Sequence, residues 1–561
     1  MTQDDLNTRQ LAEKYSATAL VNSLLREWHD FEVESNEIVF KNKYQSLSIV
    51  LENFSTVGSH AYTNIFYRTA GREKTSLSFK EFVQELLKLV NKDDRKPVLF
   101  LRIMESYKNL TEILSYRRAD YEGLLSSKYW SFIDAEQALI LGHNFHPCPK
   151  SKVQFKNHDH QLFAPEFGGS FSLQWVLLNK KYFIQNNAQY FNDRNWCVNL
   201  FVQDHSRHPG NQYVPFPFHP WQFNALKNNK EIQILMKNED MVLVKKEGLL
   251  KWKATSSLRT IYCENSDYML KFSLSLRITN SVRHLQEVEV VRGLQVHDVM
   301  SSTYGKQFLI ENKNFHILNE PSFLAIKGRS KSILLDTIVL VRENPFREKQ
   351  GKKETIVLST ITQINPYSDN GFFSLRNVDA KKWFSLYLEN VLDPFIMAQA
   401  NYGILFGAHQ QNIIVELTDS YPCGVIFRDC QGTGYTRLGY ERMKAEVCSL
   451  NLQNGNVLDD PMAHSLLGYY LIINSTFSLI NALAVQRACT EKELLRMLVN
   501  YLLVKKHSNI LDPSFVDYLL YSSMIKQKGN FFCCLHGINE NTERNPLDIY
   551  NAINNPLFNI Q

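Results

Sequence analysis

Apolar residues recur every three or four positions from about residue 8 to 32 (Leu11, Tyr15, Ala19, Leu20, Leu24, Leu25, Trp28), the stripe of an amphipathic helix. The same period returns in Phe82, Leu86, Leu87 and Val90. The first ~125 residues are therefore predicted to be mainly helical, with strands near Ile38 and residues 47–51. From about residue 150 to 345 the texture changes. Short runs of Val, Ile, Phe and Tyr alternate with polar clusters such as 204–212 and 264–267, the signature of a mostly antiparallel sheet. Beyond Lys381 the helical period resumes, broken by one hairpin at 412–429. The most apolar stretch, 466–485, is interrupted by Asn474, Ser475, Thr476, Ser478 and Asn481, so it reads as a buried helix and no membrane span is expected. Charge-rich 342–354, carrying Pro345, is the predicted junction between units. The fold class is α+β, with mainly helical units at 1–130 and 346–561 around a β-rich unit at 131–345.

Composition adds limits to this outline. The chain has 561 residues, 44% of them apolar, enough for several cores. Its 62 Lys and Arg are interleaved with 57 Asp and Glu, and no basic run tracks phosphates, so no nucleic-acid partner is expected. The nine cysteines include no C-x-x-C pair, which fits reduced thiols. The amino-terminal residues have acids where a signal peptide needs bases, and a cytoplasmic location is expected.

Candidate chemistry gathers in a few segments. Along 268–279 the residues alternate, Leu270, Phe272, Leu274 and Leu276 against Lys271, Ser273, Ser275 and Arg277, so one face is buried and the other carries cations and hydroxyls. Taken alone, that second face fits a solvated exterior. Its continuation is more telling: Thr279 or Asn280 is placed to cap a helix with Arg283 in the first turn, an arrangement that suits an anion. A hairpin from 254–260 would bring Arg259 beside Lys271. Downstream, 412–417 and 423–429 flank a turn about Ser420, which sets Asn412 opposite Arg428 and gathers His409, Gln411, Asn412 and Asp429 at one end. Acid and amide oxygens beside an anion site suit a magnesium nucleotide, and a hydrogen-bonded structural corner equally. His143, His146 and Cys148 lack a convincing further ligand pair for zinc. The aromatic, proline-rich segment 216–222 reads as a rigid turn lining a core.

His143-x-x-His146-Pro147-x-x-Lys150, His219-Pro220-Trp221-Gln222, Thr255-Ser-Ser-Leu-Arg-Thr260, Lys271 with Thr279-Asn280-Ser-Val-Arg283, His409-Gln-Gln-Asn412 and Arg428-Asp429 form an ordered series. In order and spacing it resembles the NRPS-independent siderophore synthetases, the aerobactin-synthetase-like family. The resemblance implies a cupped-hand architecture: a helical thumb, sheet-bearing fingers and a mainly helical palm, with ATP between fingers and palm. It implies an ATP-dependent ligase that adenylates a carboxylate of citrate or a derivative. A polyamine, amino acid or amino alcohol then displaces AMP. Ser257, Arg259, Lys271, Thr279 and Arg283 would contact phosphates or the citryl group, with His143 and Lys150 nearby. His409, Gln411, Asn412 and Asp429 would complete an ATP–Mg²⁺ site, Asn412 and Asp429 holding the metal. Lys271 and Arg283 would lower the electrostatic barrier, with His409 or His143 as base. A homodimer is the family expectation. Gly407 stands where many relatives carry Glu, and Gln154 where many carry Gly. A small-molecule kinase and a non-catalytic nucleotide-binding protein are the competing classes; the released products separate them.

Overall fold

The computed structural model describes residues 3–41, 45–69, 75–90, 93–127, 129–347, 353–368, 370–486, 489–539, 542–543, 545–558 and 560. Part of the junction at 342–354 therefore lies outside the described residues. The first helix, Gln3–Leu25, leads into a five-stranded antiparallel meander (Glu32–Glu34, Glu37–Lys41, Gln45–Asn53, Ala61–Thr69, Thr75–Ser76). The amino-terminal unit is thus helix and sheet together, and its two expected strands are members of that sheet. Ile38 and Phe40, then Leu47, Ile49 and Leu51, place every second side chain on Leu20, Val21 and Leu24 of the helix. Helices Phe79–Leu89 and Lys96–Arg117 complete this core. Ser78 and Glu81 cap the former reciprocally, which fixes its start.

The middle of the chain holds a six-stranded antiparallel sheet in the order Lys253–Ala254, Thr260–Tyr262, Tyr268–Phe272, Val339–Glu343, Ser322–Ile326, Phe183–Asn187. The expected single strand over 268–279 breaks at Ser273, whose hydroxyl donates to the Leu335 carbonyl (2.6 Å) and accepts from the Leu285 N–H (2.9 Å). Its second half, Leu274–Ile278, leaves the sheet and pairs with Ser281–Arg283. Gln222 anchors it there by accepting from the Ser275 N–H at 2.7 Å.

The last part packs helices on a four-stranded sheet built round the hairpin Ile413–Thr418/Tyr421–Phe427, with Phe315–Ile317 parallel to its second strand. The helical run Asp460–Gln486 is long and apolar enough to cross a membrane, yet 83% of its most apolar window is buried inside the protein. Packing crosses the sequence cuts. Val296, Phe308 and Phe315 share a core with Phe395, Phe406 and Phe427. Phe531, Cys534 and Leu535, from helix Phe531–His536, fill the amino-terminal core.

Candidate active site

Pairing of Thr260 with Lys271 puts the 255–259 loop at the end of the six-stranded sheet, next to the end of the hairpin at 412–429. Lys271 Nζ donates to the Asp429 carboxylate and, at 2.9 Å, to Gln431 Oε1. Glu320 Oε1 lies 3.5 Å from the same ammonium and accepts from Arg342 Nη2 at 2.5 Å. Arg342 is also 3.6 Å from Asp429. Lys271, Arg342 and Glu320 are buried, whereas the Asp429 side chain keeps 26% of its exposure. Burial pushes the Asp429 carboxyl up, but the charges of Lys271, Arg342 and Arg259 outweigh it and hold the group well below the usual carboxylate range. Three cations face two carboxylates here, so the cluster keeps a net positive charge toward an incoming anion.

A second contact locks the two halves. Glu136, on the capped helix Phe132–Gln137, accepts from Arg428 Nη1 at 2.7 Å and from the Ser256 N–H and hydroxyl at 2.8 and 2.7 Å. Arg428 Nε donates to the Gln411 carbonyl (2.9 Å), and Gln411 Nε2 to Ser256 Oγ (3.2 Å). Ser257 is set within this loop by Thr255 Oγ1 at 3.2 Å and by the left-handed backbone of Leu258 (φ 66°). Arg259 follows directly, its carbonyl accepting from the Phe272 N–H at 2.9 Å.

On the other side, Asn412 stands opposite Arg428 as predicted, the Arg428 N–H donating to the Asn412 carbonyl at 3.1 Å. Asn412 Nδ2 closes the loop on the Gly407 carbonyl (3.1 Å). A Cβ on residue 407 would lie 3.0 Å from the Gly432 carbonyl oxygen, so glycine there lets two backbones approach. The polar residues that interrupt the apolar stretch hold this loop: Asn474 Oδ1 accepts from the Gln410 N–H (3.1 Å) and Ser475 Oγ donates to the Ala408 carbonyl (2.8 Å). The His409 ring lies 5.8 Å from that of Tyr470.

Arg283 differs from expectation. Thr279 (φ 52°) and Asn280 form the turn of a hairpin, and Arg283 sits in the strand Ser281–Arg283; the helix starts at Glu287, after Gln286. Thr and Asn serve helix caps and tight turns alike, so local sequence left both open. Arg283 Nη2 donates to Thr279 Oγ1 at 2.7 Å. The turn is pinned by His146, which donates from Nε2 to Asn280 Oδ1 (2.9 Å) because its Nδ1 accepts from the Cys148 N–H (3.1 Å). Arg102 Nη2 donates to the Thr279 carbonyl (2.5 Å) and Nη1 to Cys534 Sγ (3.0 Å). His146, Cys148 and Cys534 bring donor atoms within 4.8 Å of one another, but both ring nitrogens are already engaged.

His143 accepts from the Phe145 N–H on Nδ1 at 3.1 Å, which leaves Nε2 as a hydrogen-bond donor. Burial, then the charges of His409, Arg26 and Lys528, push its pKa down to about 3, so it is neutral at pH 7. Its lone pair is committed to that N–H. Lys150 is not brought to the Lys271–Asp429 cluster. Its ammonium is buried on Glu166 Oε1 (2.8 Å) and the Leu139 carbonyl (3.0 Å), with Lys152 on the same carboxylate at 3.0 Å. Burial lowers it to about 8 against the pull of Glu166. The sequence reading missed Glu136, Glu320 and Arg342. A lone arginine in the apolar strand Val339–Glu343 was a usable signal, since a buried charge demands a partner. Nothing local marked the two glutamates.

Residues 131–363 match the IucA / IucC family, and 381–543 match a family described as ferric iron reductase FhuF-like transporter. The chain is 31% identical, over 97% of its length and 96% of the relative's, to the N(2)-citryl-N(6)-acetyl-N(6)-hydroxylysine synthase of Vibrio mimicus. It is 25% identical to the spermidine-citrate ligase of Bacillus anthracis, covering 98% of each. The solved structure of ATP-bound aerobactin synthetase IucA from Klebsiella pneumoniae superposes with a TM-score of 0.89 at 26% identity, over 97% of this chain and 99% of that one. Fold and site together define a ligase of the siderophore-synthetase class. The chain belongs to the IucA / IucC family, the aerobactin-synthetase-like synthetases.

Proposed function

We propose that the protein adenylates a carboxylate of citrate or a citrate derivative with ATP, releasing pyrophosphate, and that an amine or hydroxyl nucleophile then displaces AMP. The observation that carries this reading is the contact of Lys271 with Asp429, which joins sheet and hairpin under the net positive charge of Arg259 and Arg342. Attack of a carboxylate on the α-phosphorus brings two anions together, so fixed cations lower the barrier by stabilising charge on the phosphates. Ser257, Arg259, Lys271, Thr279 and Arg283 would orient the triphosphate and the citryl group from one side. His409, Gln411, Asn412 and Asp429 would close on them from the other. Asp429 Oδ2 and Asn412 Oδ1 have no protein partner among the described residues, and such hard oxygens suit Mg²⁺. Those two residues would hold the ion, which when bound neutralises phosphate charge. His409 is the proposed acceptor of the nucleophile's proton, and His143 a donor from Nε2.

Hydroxylamine trapping tests the first half-reaction. Citrate and ATP should give hydroxamate and AMP, and Arg283→Ala should lower that rate by about a hundredfold or more with the melting midpoint unchanged. Formation of ADP, or of no hydroxamate with any tricarboxylate, refutes the reading.

A further inference from the structure

Cys148 and Cys534 take no part in the reaction proposed above, yet their surroundings are built for sulfur chemistry. The two thiols stand 386 residues apart in sequence with their Sγ atoms 3.3 Å apart, and both are buried. Cys148 lies on the loop that carries His143 and His146, and Cys534 on helix Phe531–His536. A disulfide holds its sulfurs about 2.05 Å apart, so an approach of little more than about 1 Å would join this pair. Glu27 anchors the helix side by accepting from the N–H groups of Asn530, Phe531 and Phe532 at 2.5, 2.6 and 2.9 Å. That movement therefore falls to the loop.

The two sulfurs differ in reactivity. The hydrogen bond from Cys148 lowers the Cys534 thiol below its ordinary value against the opposing effect of burial, and the charges of Arg102 and Arg277 add to that lowering. Burial pushes the Cys148 thiol well up. A sulfur favoured as thiolate beside one kept as thiol is the combination of an attacking and a resolving cysteine. Cys534 retains 5% of its exposure and Cys148 none, which admits a small neutral oxidant to the former and excludes a bulky one. His146 has no lone pair left for a metal, since Nδ1 accepts from the Cys148 N–H and Nε2 donates to Asn280. The same groups hold the turn beside Arg283: Arg102 reaches both Cys534 Sγ and the Thr279 carbonyl, and His146, two residues before Cys148, reaches Asn280.

We propose that Cys148 and Cys534 form an oxidative modification site, which a hydroperoxide converts to a disulfide that loosens the 279–280 turn and slows adenylation. The effect on rate rests on the ligase reading above, whereas the cross-link does not. The Cys534 thiolate attacks one peroxide oxygen, the O–O bond breaks, and hydroxide leaves with the electron pair and takes a proton from water. The Cys148 sulfur then attacks the Cys534 sulfenic acid; the S–S bond forms as the S–O bond breaks, and the departing hydroxide carries off the Cys148 proton as water. The thiols lose two electrons, and the peroxide gains them. A disulfide sulfur carries no charge, so Arg102 loses its anionic acceptor, while the loop draws His146 away from Asn280. Both supports of the turn that positions Arg283 are disturbed together.

Hydrogen peroxide added to the reduced protein tests this. Peptide mass mapping after alkylation should recover Cys148 joined to Cys534, lighter by the two thiol hydrogens. The hydroxylamine-trapping rate should fall about tenfold in step with the cross-linked fraction, and dithiothreitol should reverse both changes. Cys148→Ala keeps the backbone N–H that holds His146, so its rate before peroxide should match that of the unaltered protein. After peroxide it should fall by less than about twofold, because a Cys534 sulfenate still offers Arg102 an anionic acceptor. Two thiols still open to alkylation at a dose that oxidises the exposed Cys448 overturn the inference. A cross-link that leaves the rate unchanged, or an equal loss in Cys148→Ala, does so too. Absence of trapping in the reduced protein instead refutes the ligase reading, and mass mapping still decides whether the cross-link forms.

Discussion

Glu136 touches Ser256 and Arg428 at once, and both of its oxygens are buried in those contacts. Glu136→Gln would leave the Arg428 guanidinium without a counter-charge, and breaking a buried pair in this way costs about 3 kcal/mol. Urea unfolding should report that loss, and the variant should also bind ATP more weakly because the 255–259 loop is released. His219 responds to pH instead of to a partner. It is fully buried, its Nδ1 accepts from the Trp221 N–H (3.2 Å), its Nε2 has no partner, and burial pushes its pKa down to about 3. The unfolded ring titrates near 6.5, so between these values the folded state binds fewer protons. Its contribution to stability is complete above pH 6.5 and is lost toward pH 3 at about 1.4 kcal/mol per pH unit. His219 is the cap of helix Pro220–Leu226, so melting midpoints measured from about pH 4 to 8 should fall less steeply for His219→Asn than for the unaltered protein, since asparagine keeps that cap without the buried imidazole.

The run Asp460–Gln486 departs from ordinary α-helix over Gly468–Thr476, where Ser475 and Thr476 hydroxyls donate to carbonyls five residues back at 2.9 and 2.8 Å. Wide turns of this kind re-aim side chains, and here they direct Asn474 and Ser475 at the 407–412 loop. Asn474→Ala should cost about 1 kcal/mol of stability, the worth of one buried hydrogen bond, while KM for ATP in hydroxylamine trapping rises about tenfold. Burial of this helix was legible from its interrupted hydropathy, and the hairpin at 412–429 from two apolar strands flanking a turn; its pairing about Ser420 holds only beyond a bulge between Glu416 and Leu417, because the turn itself places Thr418 opposite Tyr421. The break at Ser273 was not, because it depends on carbonyl and N–H groups supplied by Leu335 and Leu285. The five-stranded sheet was half legible. Ile38 and residues 47–51 alternate clearly, but short flanking strands such as Glu32–Glu34 are exposed throughout and carry no pattern. Most of the candidate site appeared as motifs, whereas its counter-charges, Glu136, Glu320 and Arg342, are single residues recognisable only once the chain is folded.

Across the whole molecule the cores are built from segments remote in sequence. Phe531 is completely buried among residues of the first helix and first sheet, with Cys534 3.3 Å from Cys148 and 3.0 Å from Arg102. Phe531→Ala should therefore destabilise the amino-terminal part by about 3 to 5 kcal/mol. Hydrogen exchange should show the faster opening in strands Glu37–Lys41 and Gln45–Asn53, far from the substitution in sequence. A chain assembled in this way cannot finish its beginning until its end exists. At ordinary ribosomal rates, strands such as Gln45–Asn53 wait on the order of half a minute to two minutes for the helix that seals them, holding an open greasy face while the rest is translated. Its yield in a cell should accordingly depend on chaperones that shield nascent chains more than the stability of the finished protein would suggest.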